Sequence, residues 1–292
     1  MSTETIDPRY ADLDAWPIGQ VIRSLWEGQV EAASAVEKAL AQIEAAVGGA
    51  AEALKASGRL IYAGAGTSGR IAVQDGAELL PTFGWPKDRM LFALAGGNRA
   101  LIEAVENAED DAADGAAQMD IASACACDVV IGVTASGTTP FTLAAIEQAR
   151  RCGALTIGLA CNQGTSILSA AQYPVLLDTG SEVLAGSTRL KAGTAQKIAL
   201  NLISTGVMVR LGRVYKGRMV DMRATNAKLR KRSEIMVAEL AGCSLADAAA
   251  ALTVSGGEIK PAILVASGTT LTNALERLAT SGGNLRAALI DD

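Results

Sequence analysis

Short apolar runs alternate with helical patterns along the middle of this chain. Residues 16–47 predict one long amphipathic helix, because Val21, Ile22, Leu25, Trp26 and Val30 recur at helical spacing. Further on, five short runs are nearly all apolar rather than alternating, as in strands that are buried on both faces. They lie at residues 60–63, 90–95, 128–134, 155–160 and 173–178. Strands separated by helices predict an open parallel sheet, wound right-handed.

Ligands of such sheets bind beyond the carboxyl ends of the strands, so the loops at that edge are the candidate site. The first loop, residues 64–70, reads GAGTSGR and leads into a helical pattern. Glycines allow backbone N–H groups to approach an anion, and the following helix N-terminus adds partial positive charge. Thr67 and Ser68 add hydroxyl groups. A phosphate is therefore the ligand that this loop fits best.

A dinucleotide is the alternative ligand, since Gly64, Gly66 and Gly69 have the Gly-x-Gly-x-x-Gly spacing. That interpretation needs an acidic residue at the end of the next strand to hold a ribose. The next predicted strand ends in Ala95-Gly96-Gly97-Asn98 instead. The pattern favours a sugar phosphate.

Two more loops follow strands at the same edge. Residues 134–140 carry Ser136, Thr138 and Thr139 before Pro140, which is either an ordinary helix N-cap or a second part of the phosphate site. Residues 180–197 place Arg189 and Lys191 beside hydroxyl groups among Gly, Ala and Thr. Sparse charges in such surroundings favour a crowded polar site over a solvated surface.

Composition narrows the chemistry. The chain of 292 residues has a net charge of −5 and no basic stripe, which argues against a nucleic-acid partner. It has no apolar run of the ~18 residues that a membrane helix needs and no signal peptide, so we expect a cytoplasmic protein without a membrane partner. Histidine is absent, so proton transfer must come from a carboxylate, Lys, Tyr or Cys. Glu78, an acid in an apolar run, is one candidate.

Metal binding is not expected. Of the five cysteines, Cys125 and Cys127 are separated by one residue, a poor spacing for a chelate, and no histidine could complete a site. Buried, reduced thiols are the simpler interpretation. We expect no metal and no other cofactor.

Taken together, the motifs resemble the N-acetylmuramic acid 6-phosphate etherase family, a member of the sugar isomerase (SIS) domain group. In chain order these motifs are GAGTSGR, D-x-x-E, PTFG, AED, SGxTP, GSTRLKAGTAQK, LN-x-x-ST and MVD followed by TN-x-KL. The same signature occurs in the related animal glucokinase regulatory proteins. The resemblance extends from about residue 3 to residue 232. One departure is Thr138, where the family usually has Arg.

This resemblance implies an SIS-type open five-stranded parallel sheet flanked by helices, plus a small C-terminal helical bundle. We expect an N-terminal helical segment (residues 1–50), an SIS domain with following helices (51–240) and a helical tail (241–292). The tail resembles a ubiquitin-associated domain, but packing or dimer contact is the simpler role. SIS domains generally pair, so a homodimer is expected, with the apolar N-terminal helix as one surface.

The implied reaction cleaves the lactyl ether of N-acetylmuramic acid 6-phosphate, giving N-acetylglucosamine 6-phosphate and D-lactate by elimination and hydration. The family's catalytic glutamates correspond to Glu78 as the acid and Glu109 as the base, although the sequence around Glu109 is also typical of a solvated helix end. The resemblance assigns the phosphate and sugar contacts to Thr67, Ser68, Ser136, Thr138, Thr139, Glu182, Ser187, Thr188, Arg189 and Lys191. Two alternatives remain: a non-catalytic sugar-phosphate sensor and an aldose–ketose isomerase.

Overall fold

The computed structural model describes residues 2–290 and divides them into two compact units. The first unit contains the chain up to Ala77 together with Asp88–Thr205. The second contains Glu78–Lys87 and the chain from Gly206 onward. The three-part division that the sequence suggests remains a prediction.

A five-stranded sheet forms the centre of the first unit, and all of its strands run parallel. Each predicted strand is present, so the predicted α/β fold is confirmed. The strands are arranged in the order β2-β1-β3-β4-β5. Their bounds are β1 Leu60–Gly64, β2 Met90–Leu94, β3 Val129–Val133, β4 Leu155–Ala160 and β5 Tyr173–Leu176.

Burial explains why these strands read as continuous apolar runs. Every residue of β1 and β3 is buried, because helices cover both faces of a parallel sheet. Tyr62 in β1 is paired in register with Phe92 on one side and Ile131 on the other. β1 therefore has a paired strand at each edge.

Helices make up most of the remaining chain. In the described residues they are α1 Ile18–Lys38, α2 Leu40–Ala53, α3 Gly66–Ala77, α4 Leu79–Phe83, α5 Ala112–Ile121, α6 Pro140–Arg151, α7 Ser166–Ala170, α8 Lys191–Arg210, α9 Ala227–Ala241, α10 Leu245–Val254, α11 Ile259–Ala266, α12 Leu271–Thr280 and α13 Leu285–Ala288. A two-stranded antiparallel ribbon, β6 Val214–Tyr215 and β7 Arg218–Met219, belongs to the second unit.

The prediction of one helix over residues 16–47 was wrong at Ala39. There the backbone (φ −93°, ψ 0°) leaves the helical path, and the Ala39 N–H bonds the Val36 carbonyl at 2.9 Å, closing α1 with a tight final turn. Ala39 is neither Gly nor Pro, and its methyl group is buried. The break is therefore set by packing and gives no local sequence signal.

The second unit is helical, as the resemblance implies for the tail. Its core joins α9 to the three tail helices and α13 through Met236, Val237, Ile263, Ala274 and Leu285. Within residues 241–292, where the resemblance implies a helical tail, the chain forms α10, α11, α12 and α13.

Two signature motifs meet within the second unit. Gly84, the last residue of PTFG, has φ +60°, and a Cβ there would lie 2.3 Å from the Asp221 carbonyl of MVD. Arg213 donates to the Phe83 carbonyl at 2.7 Å. These contacts fix the end of α4, and hence the segment that Glu78 begins.

Among the described residues, no single helix has both the length and the apolar character needed to cross a membrane. One pair, Ala227–Ala241 with Leu245–Val254, meets that test by length and composition only, with a bend of 108° between its helices.

Candidate active site

The strand order places two predicted loops side by side. β1 pairs with β3, while the chain reaches β2 on the opposite side of β1. In parallel sheets of the order 2-1-3-4-5, ligands bind where the connections after β1 and β3 diverge. The loops following those two strands are residues 64–70 and 134–140, so the candidate site lies at this switch point.

The first loop is short because its glycines touch. A Cβ on Gly69 would lie 2.9 Å from the Gly64 carbonyl oxygen and 2.3 Å from a methyl group of Leu94. α3 therefore begins almost directly after β1, with Thr67 and Ser68 in its first turn. The first N–H groups of a helix have no intrahelical acceptors, so this terminus presents donors and partial positive charge.

Hydroxyl groups cluster in the second loop. The Thr134 Oγ1 lies 2.7 Å from the Thr139 Oγ1 and 3.2 Å from the Ser136 Oγ, which in turn lies 3.3 Å from the Thr139 Oγ1. Gly137 makes the turn with φ +80°, where a Cβ would lie 2.1 Å from the Thr165 Oγ1. Pro140 then opens α6. This loop therefore presents several hydroxyls at a second helix N-terminus.

The N-terminal segment also reaches this edge of the sheet. The Asn162 side chain donates to the Thr3 Oγ1 at 3.0 Å, and the Gly186 N–H donates to the Thr3 carbonyl, also at 3.0 Å. Thr3 is fully buried, which anchors the segment and places Glu4 at the candidate site. Sequence reasoning did not select Glu4, although Thr3 and Glu4 begin the region of resemblance.

A pocket of about 360 Å³ joins these features within the first unit. Of the predicted site residues, it brings together Thr67, Ser68, Glu109, Ser136, Thr138, Thr139 and Thr188. Its other lining residues are Glu4, Ala65, Gly66, Asp110, Thr134, Ala135, Pro140 and Gly186.

Glu109 enters the pocket from a short 3₁₀ turn, Ala108–Asp110. Asn107 precedes it in the left-handed conformation (φ 60°), and Asp111 caps the start of α5 through the Asp114 N–H. Glu109 itself is exposed. The acidic run is therefore a turn at the pocket rather than part of a helix, and Glu109 is available to a ligand.

In the third loop, two side chains that were expected to contact the sugar, those of Glu182 and Lys191, bind other parts of the protein. Glu182 is fully buried and accepts hydrogen bonds from the backbone N–H groups of Lys191 and Ala192 at 2.8 and 2.9 Å. Burial raises the pKa of this carboxyl, although those hydrogen bonds oppose the rise. The Lys191 Nζ is paired with Glu31 at 2.6 Å. Both side chains therefore stabilise the start of α8.

Two other residues of this loop, Ser187 and Arg189, are half-buried and exposed, respectively. Neither they nor Glu182 and Lys191 line the pocket described above. Their contact with a sugar stays a prediction.

Burial disfavours proton transfer by two groups of the first unit that are not carboxylates, the Tyr62 hydroxyl and the Cys161 thiol. Burial raises the pKa of Tyr62 well above its ordinary value, and the nearby Asp75 raises it further. Burial likewise raises the pKa of the Cys161 thiol to about 12. Among the described residues, the pocket is lined by three carboxylates, from Glu4, Glu109 and Asp110, and by no lysine or arginine. Acid–base chemistry at this pocket therefore falls to carboxylates.

Glu78, the other predicted catalytic residue, belongs to the second unit. It is the residue before α4, is exposed, and its side chain makes no capping hydrogen bond to that helix. Its pairing with Glu109 stays a prediction.

The sequence analysis missed two buried polar residues, one that contacts a pocket residue and one on α3, the helix whose first turn borders the pocket. Gln196, in the GSTRLKAGTAQK motif, accepts a hydrogen bond from the Ser68 Oγ at 3.0 Å. Asp75, in D-x-x-E, accepts from Tyr62 at 2.6 Å, from Asn201 at 2.6 Å and from Ser204 at 3.1 Å. The sequence contained a signal for both residues, because each is a polar residue inside a motif of the resemblance.

A separate cluster lies at the amino end of β3. The Sγ atoms of Cys125 and Cys127 are 2.7 Å apart, and the Cys125 Sγ is 3.5 Å from an Asp128 oxygen. The three side chains lie close enough to share an ion. Both Asp128 oxygens are, however, engaged by Arg59.

Comparison with known proteins identifies the family of this chain. Residues 41–150 match the family model of the glucokinase regulatory protein N-terminal SIS domain, and residues 101–209 match that of the SIS domain. A protein of Deinococcus radiodurans named N-acetylmuramic acid 6-phosphate etherase is 50% identical over 90% of this chain and 86% of its own length.

Two further proteins carry the same name. The one from Rubrobacter xylanophilus is 47% identical over 90% of this chain and 87% of its own length. The one from Cronobacter sakazakii is 46% identical over 98% of this chain and 97% of its own length. This chain belongs to the N-acetylmuramic acid 6-phosphate etherase family. The resemblance inferred from its motifs is confirmed. The alignment with the Cronobacter sakazakii protein covers 98% of this chain and so extends into the helical second unit.

Proposed function

We propose that this protein is an N-acetylmuramic acid 6-phosphate etherase, an enzyme that releases D-lactate and N-acetylglucosamine 6-phosphate in the recycling of cell-wall sugars. One observation carries the proposal beyond family membership. Two hydroxyl-rich helix N-termini and Glu109 border a single pocket at the switch point of the sheet. Such a pocket can hold a phosphate and present a carboxylate to the attached sugar.

The chemistry needs two carboxylates in different protonation states and no redox step. An ether oxygen is a poor leaving group, so direct displacement at a hindered ring carbon is slow. In the ring-opened sugar, an aldehyde acidifies the proton at C2. A base removes that proton, an acid protonates the departing lactyl oxygen, and water adds to the resulting unsaturated aldehyde.

Glu109 is our candidate for the base at C2, and Glu78 for the acid at the lactyl oxygen. Exposure of Glu109 at the pocket supports the first assignment. The second rests on the DGAE motif and on the absence of histidine. A general acid or base contributes ~10²–10⁴-fold to a rate, which sets the scale for testing both.

The phosphate is assigned to the loops after β1 and β3. Ser68, Ser136 and Thr139 supply hydroxyls there, and the N-termini of α3 and α6 supply N–H groups and partial positive charge. Binding energy from the phosphate then holds the reacting carbons over the carboxylate.

The test is incubation of the purified protein with N-acetylmuramic acid 6-phosphate and an assay for D-lactate. We expect lactate release from the phosphorylated sugar and very little from N-acetylmuramic acid. Equal turnover of the two sugars would contradict the proposal that the loops after β1 and β3 bind the phosphate. Tight binding of the phosphorylated sugar without any release would favour a sensor, the alternative supported by the glucokinase regulatory protein match.

We also propose that the protein is a cytoplasmic homodimer. Exposed apolar side chains recur along one face of α1 at Ile18, Ile22, Trp26 and Val30, which suits contact with a second copy. Its five free cysteines suit a reducing compartment. Light scattering on the protein and on the Trp26→Glu variant, with Glu37→Gln as a matched helix control, tests the dimer. A monomeric wild-type protein would refute it.

A further inference from the structure

Gln196 lies directly behind a pocket hydroxyl. It stands in the second turn of α8 and its side chain is fully buried. The Oε1 of its amide accepts the hydrogen of the Ser68 Oγ at 3.0 Å, and Ser68 lines the pocket. The Nε2 of the same amide is buried and has no hydrogen-bond partner among the described residues. A buried donor without an acceptor destabilises the folded protein, so the Nε2 group of this amide lacks a hydrogen bond that it needs.

In this arrangement Ser68 cannot donate to a ligand. A serine hydroxyl has one hydrogen, and Gln196 takes it, leaving only oxygen lone pairs for the pocket. A fully ionised phosphate offers only acceptors. An acceptor at the Oε1 position therefore opposes donation from Ser68 to a phosphate.

Rotation of the Gln196 amide by half a turn reverses this. The two ends of an amide are nearly equal in size, so Nε2 can occupy the position of Oε1 and donate to the Ser68 Oγ. The serine hydrogen is then free to point into the pocket. The rotated amide places Oε1 where the unpaired Nε2 stood, so either orientation leaves one end of the amide without a partner among the described residues, and neither is strongly preferred. A charge-assisted hydrogen bond from Ser68 to a phosphate would decide between them.

We propose that Gln196 is a positioning residue that converts Ser68 from an acceptor to a phosphate donor by rotating its amide when the ligand binds. This inference rests on the proposed function only for the identity of the sugar phosphate. It gives the enzyme a way to favour phosphorylated sugars, since an uncharged hydroxymethyl group can use Ser68 in either orientation.

The experiment is a double-mutant cycle of Gln196→Met and Ser68→Ala, read by calorimetric binding of inorganic phosphate and of N-acetylglucosamine 6-phosphate. Methionine has a similar length and neither donates nor accepts a strong hydrogen bond. Methionine cannot donate to the Ser68 Oγ, so it leaves the serine hydrogen without the partner that directs it into the pocket. We therefore expect Gln196→Met to weaken binding about 10-fold and Ser68→Ala about 10- to 100-fold, with the double variant no weaker than Ser68→Ala alone.

A second readout separates positioning from folding. The preference for N-acetylglucosamine 6-phosphate over N-acetylglucosamine should fall about 10-fold in Gln196→Met, whereas a merely structural loss weakens both ligands equally. Gln196→Glu, which can only accept, should lose as much of this preference as Ser68→Ala. Additive losses in the cycle, an unchanged preference, or no phosphate binding by the wild-type protein would overturn the inference.

The outcomes remain separate from those for the proposed function. Coupled phosphate binding without lactate release would uphold the role of Gln196 and reject the etherase. Lactate release with additive losses would do the opposite.

Discussion

Arg59 and Asp128 each stand one residue before a strand, and they pair across the amino edge of the sheet. Arg59 precedes β1 and Asp128 precedes β3. The Arg59 Nη2 donates to Asp128 at 2.6 Å, and the Arg59 backbone N–H donates to the other carboxylate oxygen at 2.9 Å. The strands whose carboxyl ends carry the candidate phosphate loops are thus fastened together at their amino ends.

This pair predicts a pH dependence of stability. Burial raises the pKa of Asp128, but hydrogen bonds from Arg59 and from the Cys125 N–H more than offset this, so its pKa is lowered from 3.8. A lowered folded-state pKa contributes stability above the unfolded value, and that contribution is lost as pH falls through the folded value. Asp128→Asn should therefore be less stable at neutral pH by about 1–3 kcal/mol.

Urea unfolding at a series of pH values checks this expectation. The difference between wild type and Asp128→Asn should shrink as the pH falls below 3.8. Glu44→Gln, an exposed acid on α2, should show no comparable difference at any pH. A difference that stays constant with pH would contradict the assigned ion pair.

Substitution of the two glutamates tests the proposed chemistry. Glu109→Gln and Glu78→Gln should fold normally and each lose at least ~10²-fold in lactate release, the scale of a general acid or base. Exchange of the C2 proton with solvent deuterium should vanish in Glu109→Gln and survive in part in Glu78→Gln. NMR of the recovered sugar measures that exchange.

A nearby carboxylate provides the control. Glu106 is exposed and does not line the pocket, so Glu106→Gln should retain wild-type activity. Wild-type exchange in both catalytic variants would reject the pair. Normal release in Glu78→Gln alone would move the acid role to Glu4 or Asp110, which line the pocket with Glu109.

Sequence reasoning predicted the strands and the two loops that border the pocket, because buried parallel strands and glycine-rich turns have local signatures. It missed the break at Ala39, which only packing defines. It also could not tell that Glu182 and Lys191 would turn inward to the start of α8 while Thr188 reached the pocket. The direction of each side chain in a polar loop depends on long-range partners such as Glu31 and the Thr3 carbonyl, and residue spacing does not reveal those partners.

Gly137 should be essential to the second loop. Gly137→Ala places a Cβ 2.1 Å from the Thr165 Oγ1 and forces a side chain to φ +80°. The conformation alone costs about 1–2 kcal/mol, and the contact with Thr165 adds to it. We expect lower thermal stability and weaker phosphate binding.

Gly164→Ala is the matched variant, because Gly164 has φ +66° and open space at its Cβ position. It should lose stability through backbone strain alone and keep its phosphate affinity. Equal phosphate affinity in the two variants would show that the shape of the second loop is unimportant.

Chelation should leave the activity unchanged. The cluster of Cys125, Cys127 and Asp128 precedes β3, whereas the pocket lies where the strands end. Lactate release should therefore be the same before and after dialysis against EDTA, and in the Cys125→Ser/Cys127→Ser double variant. Loss of release that zinc or magnesium restores would assign the reaction a metal.

Thr138 allows the charge of the pocket to be changed. Its side chain is exposed, and the pocket lining described by the structure contains three carboxylates and no lysine or arginine. Thr138→Arg introduces the cation that the family usually has there, in a position with room for a longer side chain. A guanidinium group can form two hydrogen bonds to a phosphate. We expect about 3- to 10-fold tighter binding of N-acetylglucosamine 6-phosphate, with a smaller gain at high salt.

Thr138→Gln, which lengthens the side chain without charge, should give little gain, and N-acetylglucosamine should bind all three proteins alike. A similar gain for the unphosphorylated sugar would mean that position 138 contacts the ring rather than the phosphate, and would contradict the assignment of the loop after β3 to the phosphate.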